Sequence, residues 1–217
     1  MKSEILSEKQ SRGEEIANTI THGAGVFLSI AAFVILVVFA SEKGDVWKIV
    51  SFSIYGFTLV FLYTMSVFSH ALINPKAKNI FEILDHAGVY LLIAGTYTPV
   101  ALVFLQGIFG WVVFGVIWGL SVCGIIFKVF FTGKFRVLSV FLYIFMGWLI
   151  VFALKPIAEA GSTGFVFWIA AGGISYTLGT VFYMAKNMPY HHFIWHLFVL
   201  AGSAFHFLGF LFYGLET

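Results

Sequence analysis

The chain has 217 residues, of which 60% are hydrophobic, 19% aromatic and only 10% charged, with 27 Phe and a mean hydropathy of +0.98. Soluble domains carry about a quarter charged residues, so a water-soluble globule is excluded and the bilayer is the expected solvent. A formal net charge of +2, from 12 basic and 10 acidic residues, leaves no footprint for nucleic acid, and the single cysteine, Cys123, permits no intramolecular disulfide.

In chain order, the first segment carries Lys2, Glu4, Glu8, Lys9, Arg12, Glu14 and Glu15. It lacks the basic start and apolar core of a signal peptide. Residues 1–21 are therefore expected to form an exposed, amphipathic cytoplasmic leader. Beyond it, uncharged stretches run 16–41, 49–75, 86–127, 137–154, 160–185 and 187–215. A membrane helix needs about 20 apolar residues, so five of these stretches hold one helix each. The stretch 86–127 holds two, with a turn at Leu105-Gln106-Gly107-Ile108-Phe109-Gly110. The resulting expectation is an all-α, single-domain, seven-helix membrane protein, with helices near 22–40, 48–71, 84–105, 109–128, 136–154, 163–185 and 191–213. Pro99 should kink the third helix. No segment alternates in the manner of a membrane β-barrel.

Seven crossings put the two termini on opposite sides. The N-terminal side holds Lys2, Lys9, Arg12, Lys76, Lys78, Lys128, Lys134, Arg136 and Lys186; the other side holds Lys43, Lys48 and Lys155. Nine basic residues against three predict a cytoplasmic N-terminus and an outside C-terminus in the cell membrane.

Ionisable groups inside a bilayer are expensive, so those retained there are candidate functional residues. His22, His70, Asp85, His192 and His196 fall at starts of odd helices or ends of even ones, which places all five in one layer at the cytoplasmic end. Ser66 and His70 are four residues apart, as are His192 and His196, so each pair shares a helical face. Two imidazoles at this spacing form a pincer for a metal, and His70 is a third candidate ligand. Three neutral imidazoles with one open position suit a catalytic zinc site. Asp85 is then placed to act as general base or to orient a ligand, and Ser66 to donate a hydrogen bond to an oxyanion. Glu15, Asn18 and His22 share another face and are candidates for a supporting layer behind the metal ligands.

Plainer roles compete with each assignment. His192 and His196 also suit interfacial positions bonded to loops and headgroups. Asp85 also suits the N-cap of the third helix, and Ser66 suits helix packing. His206 lies ten residues past His196, roughly 15 Å further along the axis, too deep to share its metal. What favours the metal is convergence from four separate segments.

Those residues resemble the motifs of a known family. Glu15-Ile16-Ala17-Asn18-Thr19-Ile20-Thr21-His22 is similar to its E-x-x-N-x-x-x-H motif. Ser66-Val67-Phe68-Ser69-His70, followed by Leu84-Asp85-His86, resembles its S-x-x-x-H then D motif, and His192-Phe193-Ile194-Trp195-His196 its H-x-x-x-H motif. The family is hemolysin III, the bacterial branch of the progestin and adipoQ receptors. The resemblance covers nearly the whole chain. It implies seven helices with the N-terminus inside, zinc held by His70, His192 and His196, and Asp85 near the metal-bound water. It also implies kinship with ceramide-type lipid hydrolases and a part in membrane lipid homeostasis. The expectation is a zinc-dependent intramembrane hydrolase of a lipid amide or ester, with membrane lipids as partners. The alternatives are a sensor or receptor with structural zinc, and a pore-forming haemolysin.

Overall fold

A computed structural model describes residues 10–131, 134–159 and 163–216. Seven helices in it are long and apolar enough to cross a membrane: α1 (Arg12–Lys43), α2 (Val46–Ala71), α3 (Pro75–Leu105), α4 (Gly107–Phe131), α5 (Arg136–Glu159), α6 (Thr163–Met184) and α7 (His191–Gly214). No strand occurs among the described residues. Lys2 and Lys9, which enter the basic-residue count, lie outside them.

Capping chemistry moves two helix starts well upstream of the apolar runs. Ser11 accepts from Glu14 N at 3.3 Å while Glu14 Oε2 accepts from Ser11 N at 2.7 Å, a reciprocal capping box. α1 therefore begins at Arg12, so the second half of the expected leader is helix, with Asn18, Thr21 and His22 buried in the bundle. The expectation of a wholly exposed leader is corrected accordingly. Asn74 caps α3 by accepting from Lys76 N and Ala77 N, and Pro75 occupies its first position, where a missing N–H is harmless. That start lies nine residues ahead of the expected 84, which leaves Asp85 inside the helix and free of any N-capping duty.

Pro99 does not end α3; the helix widens to a π segment over Val100–Leu105. Gln106 then turns the chain with φ +50° and Gly107 with φ +55°, so the α3–α4 connection falls within the expected turn. α5 is α-helical to Trp148, tightens to a 3-10 segment over Leu149–Ala153, and resumes over Leu154–Glu159. Pro156 falls in the first turn after that break, where a helix tolerates it.

Sequential helices pack side by side, and α7 returns against α1 to close the bundle. α3 is the most enclosed, with 78% of its apolar window buried. The outer faces carry Phe27, Ile108, Phe130 and Phe152, all largely exposed, as a lipid-facing surface requires. Inside, Phe104 stacks on Phe165 at 3.9 Å, and Tyr63 and Tyr176 both meet the Ser203 hydroxyl at 2.7 and 2.8 Å, tying α2, α6 and α7 together. Lys48 donates to Leu215 O at 3.3 Å and fastens the end of α7.

Close approach of α2 and α3 depends on Gly95, where an added Cβ would run into the Thr58 side chain. Gly95→Ala is expected to destabilise the protein by about 1–3 kcal/mol, read as a lower thermal midpoint in detergent. Gly115→Ala, whose Cβ would meet nothing within 4 Å, should leave that midpoint unchanged.

Candidate metal centre

Four helices deliver imidazoles to one layer near the N-terminal face. His70 ends α2, while His192 and His196 lie one turn apart at the start of α7. That start is held from α1, since Glu14 Oε1 accepts from Tyr190 N at 2.8 Å. Tyr190 itself turns the chain into α7 with φ +57°. One nitrogen from each of His70, His192 and His196 lies within 4.8 Å of the other two. Ring centroids are 5.0 Å apart for His70–His192, 5.2 Å for His70–His196 and 4.5 Å for His192–His196. His196 is 1% exposed, so a headgroup-facing, purely interfacial role does not describe it.

The hydrogen bonds around these rings fit a metal. His70 Nδ1 meets Glu15 Oε2 at 2.7 Å, and Glu15 Oε1 takes Lys78 Nζ at 2.6 Å. A carboxylate behind a histidine fixes the tautomer that leaves the other nitrogen able to ligate. That nitrogen, Nε2 of His70, is buried with no hydrogen-bond partner among the described residues, as is His196 Nδ1. Leaving a buried polar atom unsatisfied costs about 1–3 kcal/mol. Orphaned nitrogens inside a trio of close imidazoles are what a bound cation would satisfy, and nitrogen donors in this number suit zinc.

His22 joins the cluster from α1. Its ring stacks on His196 with centroids 3.4 Å apart and an interplanar angle of 12°, and Tyr63 meets it edge-on at 5.0 Å. Its Nδ1 meets Ser66 Oγ at 2.7 Å, and its Nε2 is another buried orphan. Asn18 is fully buried, donates from Nδ2 to Gln10 Oε1 at 2.6 Å and leaves Oδ1 without a partner among the described residues. Glu15, Asn18 and His22 thus take different places: one behind His70, one beside Gln10, one against His196.

Asp85 faces a polar chamber of about 140 Å3 with Glu15, Ser69, His70, His86 and His192 on its wall. Ser69 Oγ donates to Asp85 Oδ2 at 3.4 Å. Ser66, bonded to His22, is not on that wall. His86 spans Glu82 O and the Tyr183 hydroxyl at 2.7 and 3.3 Å. His206 lies deeper, with Nε2 against Ile169 O at 3.2 Å, an interhelical contact from α7 to α6.

Sequence reasoning passed over Ser69, Lys78 and the cationic residues around the chamber. Ser69 precedes His70 directly, and Lys78 lies one turn ahead of Glu82 on α3, but only the tertiary packing turns either toward the site. A second cavity, also about 140 Å3, lies one layer deeper between α3, α5, α6 and α7. Its wall is largely apolar, including Val89, Leu92, Ile93, Trp148, Trp195 and Val199.

A family model described as haemolysin-III related matches residues 10–207. The chain is 49% identical over 205 residues to a hemolysin-3 homolog of Bacillus subtilis (strain 168), covering 94% of this chain and 96% of that one. It is 47% identical over 218 residues to hemolysin-3 of Bacillus cereus, covering 98% and 99%. A more distant likeness, 28% identity over 200 residues covering 89% and 82%, joins it to the human monocyte to macrophage differentiation factor, a protein of the progestin and adipoQ receptor type. The chain, a seven-helix bundle with a histidine cluster near one face, belongs to the haemolysin III family of membrane proteins.

Proposed function

We propose that this protein is a zinc-dependent intramembrane hydrolase of a lipid amide or ester, set in the cell membrane with its metal centre toward the cytoplasmic leaflet. The observation that carries this reading is the His70–His192–His196 trio, its donor atoms within 4.8 Å of one another and a Glu15 carboxylate 2.7 Å behind His70. When bound by these three residues, zinc supplies Lewis-acid polarisation of a carbonyl and of a nearby water.

The remaining work falls to the chain. Asp85 stands on the chamber wall beside two of the candidate ligands and accepts the proton released when water attacks the carbonyl. Ser69, which donates to Ser66 O at 2.8 Å, steadies the Asp85 carboxylate from one side at 3.4 Å. The oxyanion donor is Ser66, whose hydroxyl meets His22 and also reaches Asp85. Ser66 also orients His22 against His196. The deeper apolar cavity continues the same helices away from the chamber and suits a hydrocarbon chain, so the scissile bond sits at headgroup depth.

Purified protein should carry about one zinc per chain by elemental analysis. Cells lacking it should accumulate a lipid amide or ester that the purified protein cleaves. Zinc-free protein with normal histidine geometry would reject the reading. One observation supports a second reading, a sensor with structural zinc: His22 offers a fourth buried imidazole, and a closed four-ligand site leaves no position for chemistry. His22→Gln separates the two, because it keeps the metal in the hydrolase and loses it in the sensor.

A further inference from the structure

A third cavity, of about 360 Å3, lies at the end of the bundle opposite the histidines. Trp47 on its wall and His70 in the metal centre stand at the two ends of α2, roughly 35 Å apart along the axis at 1.5 Å per residue. The two sites are therefore separate.

Three helix ends build this cavity. Ala101, Leu102 and Val103 of the π segment form a buried floor. Asp45 and Trp47 enter from the start of α2, Gln106 from the α3–α4 turn and Trp111 from the start of α4. Gly110 draws α4 onto the floor, since an added Cβ there would collide with Ala101 O, and this sets the next residue, Trp111, on the rim. The two indoles stand at an interplanar angle of 81° with ring centroids 5.7 Å apart, so their faces make an inside corner. Both are about half exposed, and neither indole N–H has an acceptor among the described residues, whereas the interior Trp118 and Trp148 donate to Thr98 and Thr177. A tryptophan of an interfacial belt needs only to reach the interface. It does not need a second indole at right angles to it, nor a carboxylate beside the pair.

Polar groups complete the wall. Asp45 Oδ1 accepts from Trp47 N and Lys48 N, which caps α2. Asp45 Oδ2 takes no hydrogen bond among the described residues; Lys48 Nζ stands 4.0 Å from it but donates to Leu215 O. Gln106, with φ +50° and ψ −177°, holds a backbone conformation that favours glycine, and its Nε2 donates back to Val103 O at 2.9 Å. That bond leaves Oε1 as the end of the amide without a partner among the described residues.

Indole faces attract cations, and a weakly hydrated cation loses least on entering such a corner. A quaternary ammonium meets this condition. It needs no hydrogen-bond acceptor, and its polarised methyl groups make C–H contacts to carboxylate and amide oxygens. A primary ammonium is compact and strongly hydrated and brings three N–H donors, for which Asp45 and Gln106 offer only two open oxygens.

We propose that this cavity binds the quaternary ammonium of a choline-type phospholipid headgroup from the leaflet opposite the histidines. A lipid is favoured over free choline because the cavity lies where three crossing helices end, and Ile108 and Val112 beside it are 86% and 55% exposed on the lipid-facing surface. The indole N–H groups also suit the phosphate and ester oxygens that such a headgroup carries beside its ammonium. This binding does not depend on the hydrolase reading.

The test is a binding titration of detergent-purified protein, before and after treatment with a zinc chelator. The probes are dioctanoyl phosphatidylcholine, dioctanoyl phosphatidylethanolamine, choline and 3,3-dimethylbutan-1-ol, the neutral carbon isostere of choline. The expected result is a Kd at least about 10-fold lower for phosphatidylcholine than for phosphatidylethanolamine, equivalent to about 1.4 kcal/mol, and unchanged by the chelator. Choline should bind more weakly than phosphatidylcholine, and the isostere should not bind. The preference should fall to within about two-fold in Trp47→Leu/Trp111→Leu, whose half-exposed positions should leave the thermal midpoint close to that of the parent. Asp45→Asn, which still caps α2, should weaken phosphatidylcholine binding about 3-fold, the scale of a part-exposed ion pair. Equal affinity for the two lipids overturns the proposal, as does isostere binding as tight as that of choline, or a preference that survives the double variant. Choline binding as tight as that of phosphatidylcholine overturns the headgroup as the source. Headgroup discrimination by zinc-free protein upholds this inference alone, and its absence from zinc-loaded protein leaves only the hydrolase reading standing.

Discussion

His192→Ala is expected to reduce bound zinc from about one per chain to below a tenth of that, with loss of any lipid hydrolysis. A three-nitrogen site that loses one donor keeps two, and two imidazoles from one helix hold a divalent ion too weakly to survive dialysis against a chelator. The site geometry makes the prediction specific to the trio. His86 sits on the same chamber wall, but its two nitrogens meet Glu82 O and the Tyr183 hydroxyl, so His86→Gln should keep the metal. Glu15→Gln should fall between the two. An amide still reaches His70 and Lys78 but no longer favours the ligating tautomer as a carboxylate does, and loss of such support typically weakens metal binding 10–100-fold. Elemental analysis after graded chelation reads all three, and thermal midpoints show whether each variant is folded. Full zinc retention by folded His192→Ala would remove this residue from the ligand set and leave the chemistry without its centre.

The sequence was informative where spacing and burial demand the same thing. Six uncharged stretches, one of them long enough for two helices, translate directly into seven helices of membrane-crossing length, because a bilayer tolerates no other use of them. The four-residue spacing of His192 and His196 survives into the structure because a helix preserves it. Contacts across helices were less accessible. Glu15 was placed behind the metal ligands by its helical phase with His22, but its actual partners, His70 and Lys78, are 55 and 63 residues away, and no periodicity encodes that pairing. Ser66 shares a face with His70, and its hydroxyl reaches both His22 on α1 and Asp85 on α3, two partners that no spacing within α2 encodes. Helix starts were misplaced where capping residues precede the apolar run: Ser11-Arg12-Gly13-Glu14 and Asn74-Pro75 were both readable as caps, and hydropathy overrode them. The basic residues show the same limit. They were counted as an orientation signal, which depends only on which side they occupy, whereas their meeting around one chamber depends on how five segments pack.

Asp85→Asn should keep the zinc and the fold but lower hydrolytic turnover about 10²–10⁴-fold, the usual contribution of a general base. The substitution is nearly isosteric, and an asparagine carbonyl can still accept from Ser69, so the chamber wall is preserved. What disappears is the ability to take up a proton beside His70 and His192. Because α3 begins at Pro75 under an Asn74 cap, Asp85 caps nothing, and the variant should not incur the roughly 1 kcal/mol that loss of a helix cap costs. This separates a chemical role from a structural one. If Asp85 acted only by shaping the wall, Asn would serve almost as well and turnover would barely change. If it moves the proton, kcat falls while substrate affinity and metal content stay close to those of the parent protein. Ser66→Ala supplies the graded comparison: it leaves the carboxylate in place but removes a hydroxyl neighbour and the donor assigned to the oxyanion, a loss of about 10²–10³-fold for one such donor. Undiminished turnover by zinc-loaded Asp85→Asn would assign proton transfer to another group on the chamber wall, of which Glu82 is the remaining carboxylate not already held by a histidine or a serine.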